Sequence, residues 1–228
     1  MEDYGAVVVG GGHNGLICAA YLARAGIDTL LVEARPSVGG CASTVDALGA
    51  RVNICSCDHT TVRSNPMLDE LDLARHGLRY LDVDPGQWML GYDAGPAWPQ
   101  FRDVGRTLDA LAATHPSEVD GYRAYAKAAI PVARLLLDLA TRPPTPRRIG
   151  AQVARHHGAG LATLLRWSRR SAADVLRAFF ATPALQGPAF AGGPAVWGVA
   201  PSTPGTGLGA LSFALRHVLG VGRPVGGS

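Results

Sequence analysis

The first readable pattern in the chain is an unbroken apolar run, Ala6-Val7-Val8-Val9. A short β-branched run without polar alternation predicts a strand buried on both faces. It leads into Gly10-Gly11-Gly12-His13-Asn14-Gly15. Leu16 to Ala25 then carries a helical pattern, in which Ala19, Ala20 and Ala23 are small enough to lie against a sheet. Gly26 follows, where a left-handed residue suits a helix end. Thr29-Leu30-Leu31-Val32 predicts a second strand, with Glu33 at its end.

The pattern continues with a strand pair or extended segment over Val45 to Ile54, turning at Gly49. Asn65-Pro66 and the spacing of Leu68, Leu71 and Leu73 predict a helix over 65–76, stopped by Gly77. Leu78 to Val83 alternates as a strand does. Short strands are expected at 88–92 and 97–101, on either side of Gly95-Pro96. Their aromatics Trp88, Tyr92, Trp98 and Phe101 suit core packing better than a substrate tunnel. From Val104 the period becomes helical. Asp103 or Thr107 is a candidate cap, and a long helix opens at Ser117-Glu118 and runs through Leu139. Pro131 marks a kink or boundary within it. Arg142-Pro143-Pro144-Thr145-Pro146 is a rigid break. Two further helices are predicted over 149–167 and 171–180, the second opened by a capping box with Asp174 in place of Glu. A last helix is expected over 208–219.

The chemistry sits in the first of these stretches. Gly10 permits a tight turn out of the strand, Gly12 lets backbone approach a pyrophosphate, and Gly15 lets helix pack on strand. A helix N-terminus presents free N–H groups and a positive dipole end to the phosphates. Glu33, 18 residues after Gly15, is placed to accept hydrogen bonds from ribose hydroxyls. Strand, glycines, helix, second strand and acid agree on dinucleotide binding.

Glu33-Ala34-Arg35 continues to Gly39-Gly40-Cys41-Ala42-Ser43-Thr44. Here the chain resembles the FAD-dependent amine oxidase and phytoene desaturase superfamily, nearest to the bacterial phytoene-dehydrogenase-like oxidoreductases. Members of that family follow the ribose-binding Glu with R-x-x-x-G-G-x-x-x-T. The likeness is specific from Val7 to Thr44 and looser beyond. It implies an α/β fold, with a Rossmann-like, GR2-type FAD-binding βαβ unit over 1–82. A mostly helical portion of a substrate domain would follow over 83–228. It also implies FAD as cofactor, held by Gly10, Gly12, His13, Asn14, Gly15, Glu33, Ala34, Arg35, Gly39, Gly40, Cys41 and Ala42. Two departures stand out. Cys41 and Ala42 replace the Arg that many members carry near the double glycine, and Asn53 stands where an Asp is frequent.

The resemblance covers the N-terminal half of the family fold, whose remaining strands would follow Ser228. The expectation is a chain incomplete by itself, partnered by a complementary flavoenzyme chain in a hetero-oligomer. The implied reaction is removal of a hydride from a C–C or C–N bond of a small organic substrate. A lipophilic substrate would match the polyenes on which relatives act. No residue is assigned as catalytic. Two other readings stay open: an NAD(P)-dependent dehydrogenase, which leaves Arg35 and Gly39-Gly40 unexplained, and a non-catalytic nucleotide-binding remnant or scaffold.

Composition narrows the rest. At 228 residues and 47% apolar, the chain can bury a sizeable core. Four cysteines, Cys18, Cys41, Cys55 and Cys57, do not make a disulfide framework at this length. Cys55-Ser56-Cys57-Asp58-His59 lacks a second half with metal-ligand spacing, so no metal is expected. No signal peptide or membrane span is evident, which places the protein in the cytoplasm by default. Charge is uneven: 17 acidic and 11 basic side chains up to Asp138, then one acid and 10 bases. A basic helical layer over 142–180 follows. It suits a solvated face, an acidic partner surface or peripheral contact with a membrane. No nucleic-acid-reading motif accompanies it.

Overall fold

A computed structural model describes residues 3–55, 58–91 and 95–227. The chain is mixed α/β and divides into two compact units, Met1–Asp82 with Gly222–Ser228, and Val83–Val221.

The first unit is built on a Rossmann-like βαβ motif. Strand β1 (Ala6–Val9) and strand β2 (Thr29–Val32) pair in parallel, Ala6 opposite Thr29 and Val9 opposite Val32. Helix α1 (His13–Arg24) connects them. It starts three residues earlier than its apolar pattern predicts, because His13, Asn14 and Gly15 are already helical after the extended Gly12. It ends at Arg24 with Ala25 as C-cap, and Gly26 follows at φ +80°. The apolar run predicts burial on both faces of β1. Instead Val7 and Val9 are 57% and 83% exposed. Only the Val8 face is covered, since α1 lies there: a Cβ at Gly15 would stand 3.5 Å from Val8 Cγ1.

Strands β3 (Thr44–Ala47) and β4 (Ala50–Asn53) form the expected antiparallel pair. Its two-residue turn has φ +53° at Leu48 and +75° at Gly49, the left-handed pair that matches strand twist. Of the helix predicted over 65–76, only α2 (Met67–Glu70) forms. Asn65 Oδ1 accepts from the Met67 N–H at 3.0 Å, as a cap does. Asp72 then adopts φ +51°, and the chain continues in turns. Strand β5 (Tyr80–Val83) closes this part.

The second unit starts with an antiparallel hairpin of β6 (Gln87–Met89) and β7 (Trp98–Gln100). Helix α3 (Val104–Thr114) is capped by Asp103, whose Oδ1 accepts from the Arg106 N–H at 2.8 Å. Thr107 is inside the helix and instead receives the Phe101 N–H. A 3-10 turn over Pro116–Glu118 opens α4 (Val119–Ala140), which passes through Pro131 unbroken. The helix predicted over 149–167 is two helices, α5 (Pro146–Arg155) and α6 (Leu161–Trp167). His157, Gly158 and Gly160 have φ of +50°, +71° and +82° between them, which no helix accommodates. Helices α7 (Ala172–Arg177), α8 (Pro183–Gly192) and α9 (Ser212–Leu219) complete the unit.

The core of the second unit is aromatic. Trp98, Tyr122, Tyr125, Phe180 and Phe213 are fully buried and in mutual ring contact. Each contributes about 1.5–3 kcal/mol by leaving water. Trp98 donates its indole N–H to the Ala184 carbonyl at 3.1 Å. Of the other aromatics noted in the sequence, Trp88 is exposed, Phe101 is partly buried beneath Arg106, and Tyr92 lies outside the described residues.

The chain then returns to the first unit. Strand β8 (Val221–Pro224) pairs with β5. Gly222 accepts the His59 N–H at 2.9 Å, Val225 donates to the Arg79 carbonyl at 2.9 Å, and Arg223 pairs with Asp58 at 3.0 Å. The glycine-rich end reads as a turn in the sequence. In the structure a strand comes first and the turn begins at Val225. Among the described residues no helix is long and apolar enough to cross a membrane.

Candidate functional site

The site grows from the end of β1. Gly10 leaves the strand at φ +101°, and its N–H binds the Val32 carbonyl at 2.8 Å. Gly11 is buried; a Cβ there would stand 2.8 Å from Val38 and 3.2 Å from Glu33. Gly12 is the N-cap of α1, with extended backbone and no side chain to cap the helix. The first N–H groups of α1 therefore have no side-chain acceptor from the cap position, and no acidic residue lies in the first turn. At Gly15 a side chain is excluded outright, because its Cβ would overlap the Gly10 carbonyl oxygen.

A second glycine turn docks on the first. The Gly39 N–H donates to the Gly11 carbonyl at 2.7 Å, and Gly12 and Gly39 form a parallel bridge. Gly39 and Gly40 have φ of +116° and +64°. A Cβ on Gly40 would lie 3.0 Å from Gly12 Cα, so this approach of two backbones requires glycine. Ser43 Oγ donates to the Gly40 carbonyl at 2.8 Å, and the Ala42 N–H to that of Gly39 at 3.1 Å. Exposed Cys41 stands with Sγ 3.8 Å from Nδ1 of exposed His13. Asn14 is exposed in the first turn of α1.

Glu33 ties the parts together. Its Oε2 accepts the Gly11 N–H at 2.6 Å and its Oε1 the Arg35 N–H at 2.9 Å. These bonds, that of Arg35 foremost, hold its carboxyl below the usual range. Each carboxylate oxygen keeps a further lone pair for a hydroxyl donor. Ala34 and Arg35 follow on an exposed segment.

The structure thus gathers Gly10, Gly12, His13, Gly15, Glu33, Gly39, Gly40, Cys41 and Ala42 around one helix N-terminus. Gly11 and Ser43 belong to the same construction and were not singled out by sequence. The signal for Gly11 was its place in an unbroken triple glycine; Ser43 gave none.

Another chemistry-bearing cluster of this unit lies apart along the chain. His59 Nδ1 is 2.9 Å from the Tyr80 hydroxyl, and Arg63 sits over the Tyr80 ring and pairs with Asp82. Burial lowers the His59 pKa and raises that of Tyr80. Cys55 is exposed, and Ser56 and Cys57 lie outside the described residues. Among the described residues no three His, Cys, Asp or Glu side chains converge as a metal site would require.

Comparison with known proteins bears on this region. Residues 8–71 match the family described as an NAD(P)-binding Rossmann-like domain. A limonene dehydrogenase subunit of Castellaniella defragrans is 32% identical over 117 residues, 51% of this chain and 21% of that protein. The mouse pyridine nucleotide-disulfide oxidoreductase domain-containing protein 2 is 40% identical over 84 residues, 36% of this chain and 14% of that protein. A triple mutant of putrescine oxidase, solved in a redesign of cofactor binding, shares the fold at TM-score 0.52 and 19% identity. That similarity covers 98% of this chain and 46% of the putrescine oxidase chain. The chain therefore spans less than half the length of the relatives it matches.

Proposed function

We propose that this chain is the nucleotide-binding part of an FAD-dependent oxidoreductase of the phytoene-dehydrogenase-like type. The observation that carries the reading is the docking of Gly39-Gly40 on Gly12 beside an N-terminus of α1 that no side chain caps. One glycine turn suffices for a generic dinucleotide; the second, tied through Gly11 to Glu33, is the addition that the family resemblance associates with FAD.

The residues present fit that cofactor. The open space at Gly12, where a Cβ would meet nothing nearer than Gly40 Cα at 3.9 Å, admits a diphosphate to the helix end. Glu33 offers the acceptor for ribose hydroxyls. Gly15 and Gly40 hold close backbone approaches that a side chain would obstruct, and Gly10 makes the left-handed turn out of β1. His13, Asn14, Cys41 and Ala42 line the mouth. When bound, FAD supplies a two-electron acceptor for a hydride from a C–C or C–N bond. This chain's own residues bind and orient it; none of them is assigned to proton transfer.

The reading includes a second polypeptide that completes the fold and supplies most of the substrate cavity. Two observations support it. Val7, Val9 and Val32 leave an apolar sheet face open. One of the relatives is itself designated a subunit. The substrate is then a small organic molecule, and a lipophilic one is in keeping with the relative named for limonene dehydrogenation.

The test is Gly12→Val in the native assembly. The valine occupies the diphosphate position, so the variant is expected to lose the flavin's visible absorbance while keeping its fold by circular dichroism. Stoichiometric FAD in the folded variant would refute the site. A wild-type assembly that is colourless yet binds NAD or NADP would replace FAD by a nicotinamide cofactor.

A further inference from the structure

The turn that follows the return strand holds a glycine at which a side chain has no room. Gly227 has φ +100°, and a Cβ on it would overlap Thr44 Oγ1, lie 2.8 Å from Asn53 Oδ1 and 2.9 Å from Thr44 Cβ. Thr44 and Asn53 are the first and last residues of the β3–β4 hairpin, joined by a hydrogen bond of 2.6 Å from Thr44 Oγ1 to Asn53 Oδ1. Gly227 thus lies against the base of that hairpin with no room for a side chain between them.

A continuous set of short contacts runs from there to the nucleotide site. Beside Asn53, the Ile54 N–H donates to the Ser43 carbonyl at 3.0 Å. Ser43 Oγ donates to the Gly40 carbonyl at 2.8 Å. Gly40 is the residue whose backbone rests on Gly12, and Gly39 donates to Gly11. Every link lies within one unit. None is a long flexible side chain that could absorb a displacement at Thr44.

We infer that Gly227 is a positioning residue for the dinucleotide site: it sets the Thr44–Asn53 hairpin base, and through Ser43 the Gly39-Gly40 turn, against the N-terminus of α1. The inference rests on the proposed reading of that site as one that holds FAD. It adds that the last turn of the return strand, more than 180 residues from Gly40 in sequence, tunes how tightly the cofactor is held.

Gly226 supplies the control. It has φ +88°, so an alanine there strains the backbone in the same way, but its Cβ would meet nothing within 4 Å. The experiment measures dissociation constants for FAD, and for ADP as a probe of the half-site alone, with Gly227→Ala, Gly226→Ala and Gly227→Ala/Thr44→Ala in the native assembly. Gly227→Ala is expected to weaken both ligands by about tenfold, equivalent to about 1.4 kcal/mol of lost preorganisation. Gly226→Ala should weaken them far less. Thr44→Ala in the Gly227→Ala background removes the overlapping hydroxyl and should restore part of the affinity. Equal affinity in wild type and Gly227→Ala, equal losses in the two alanine variants, or no restoration in the double variant would overturn the inference. A wild-type assembly that binds neither FAD nor ADP would instead overturn the reading of the site beneath it.

Discussion

At the scale of single residues, the second unit depends on polar groups placed deep in an apolar interior. Glu118 is 1% exposed, and its carboxyl receives the N–H groups of Ala181 and Thr182, the latter at 2.5 Å. It caps α8 from across the unit, since Thr182 makes no side-chain cap of its own. Glu118→Ala leaves two part-buried donors without this acceptor, and we expect a loss of about 1–3 kcal/mol in denaturant unfolding. A loss below about 0.5 kcal/mol, as at an ordinary surface site, would contradict this role. His217 is a second such residue. Its Nδ1 faces the Arg102 carbonyl at 3.0 Å, which can only accept, so Nδ1 carries the hydrogen and Nε2 accepts from the Tyr122 hydroxyl at 2.8 Å. Burial holds the His217 pKa below its ordinary value, the nearby carbonyls and Asp103 opposing in part. The unfolded chain therefore takes up a proton that the folded chain resists. This contribution is complete above the unfolded pKa of about 6.5 and is lost as pH falls from there through the lower folded value. Urea midpoints measured from pH 8 to pH 5 should decline over that window, and His217→Asn should flatten the decline.

At the scale of elements, the β3–β4 hairpin carries a removable strain. Leu48 is fully exposed and sits at φ +53°, where its side chain gains no packing and its Cβ crowds the following carbonyl. Leu48→Asn gives the Asn-Gly turn that this geometry favours, and should raise stability by about 1 kcal/mol. An unchanged or lowered melting temperature would show that Leu48 has a partner in the assembled protein. The sequence made this hairpin legible because strand pairing around Gly49 is local. The βαβ motif was legible for the same reason, down to the residues of both strands. Legibility ended where distant residues decide. Helix 65–76 has good spacing but stops after one turn at Leu71, with Asp72 left-handed. Helix 149–167 breaks because Gly160 seats its backbone on Pro131 of α4, where a Cβ would lie 2.7 Å from the Pro131 carbonyl carbon. Helix α8 was hidden by its prolines: Pro183 suits a first turn, but Pro188 inside it argues against a helix in any local reading. At the candidate site, the glycines and Glu33 declare themselves by spacing. Ser43 and Gly227 act through contacts that no local pattern encodes.

At the scale of the whole molecule, the two units differ in how they hold themselves together. The buried hydrophobic side chains begin at Met89, so among the described residues the aromatic interior belongs to the second unit. The first unit carries half-covered strands and an open valine face. Val9→Lys tests what that face is for. Val9 is 83% exposed, so the chain alone should lose less than about 0.5 kcal/mol. In an assembly recovered through a tag on this chain, the same change should weaken association at least about tenfold if a second polypeptide covers the sheet. Unaltered association would place the interface elsewhere. The return of β8 to β5 has a consequence in time. The first unit is interrupted by 139 residues of the second, so a ribosome delivers β8, the partner of β5, only after the whole second unit has emerged. Until then β5 waits without its neighbour, and Gly227 has not reached the hairpin. Loop closure over so long a separation is slow for a free coil, and a folded insert that holds its own ends shortens the search. On the proposed reading of the site, the helical unit is thereby an assembly step for it: damage to its core would be read first as late or failed loading of the nucleotide.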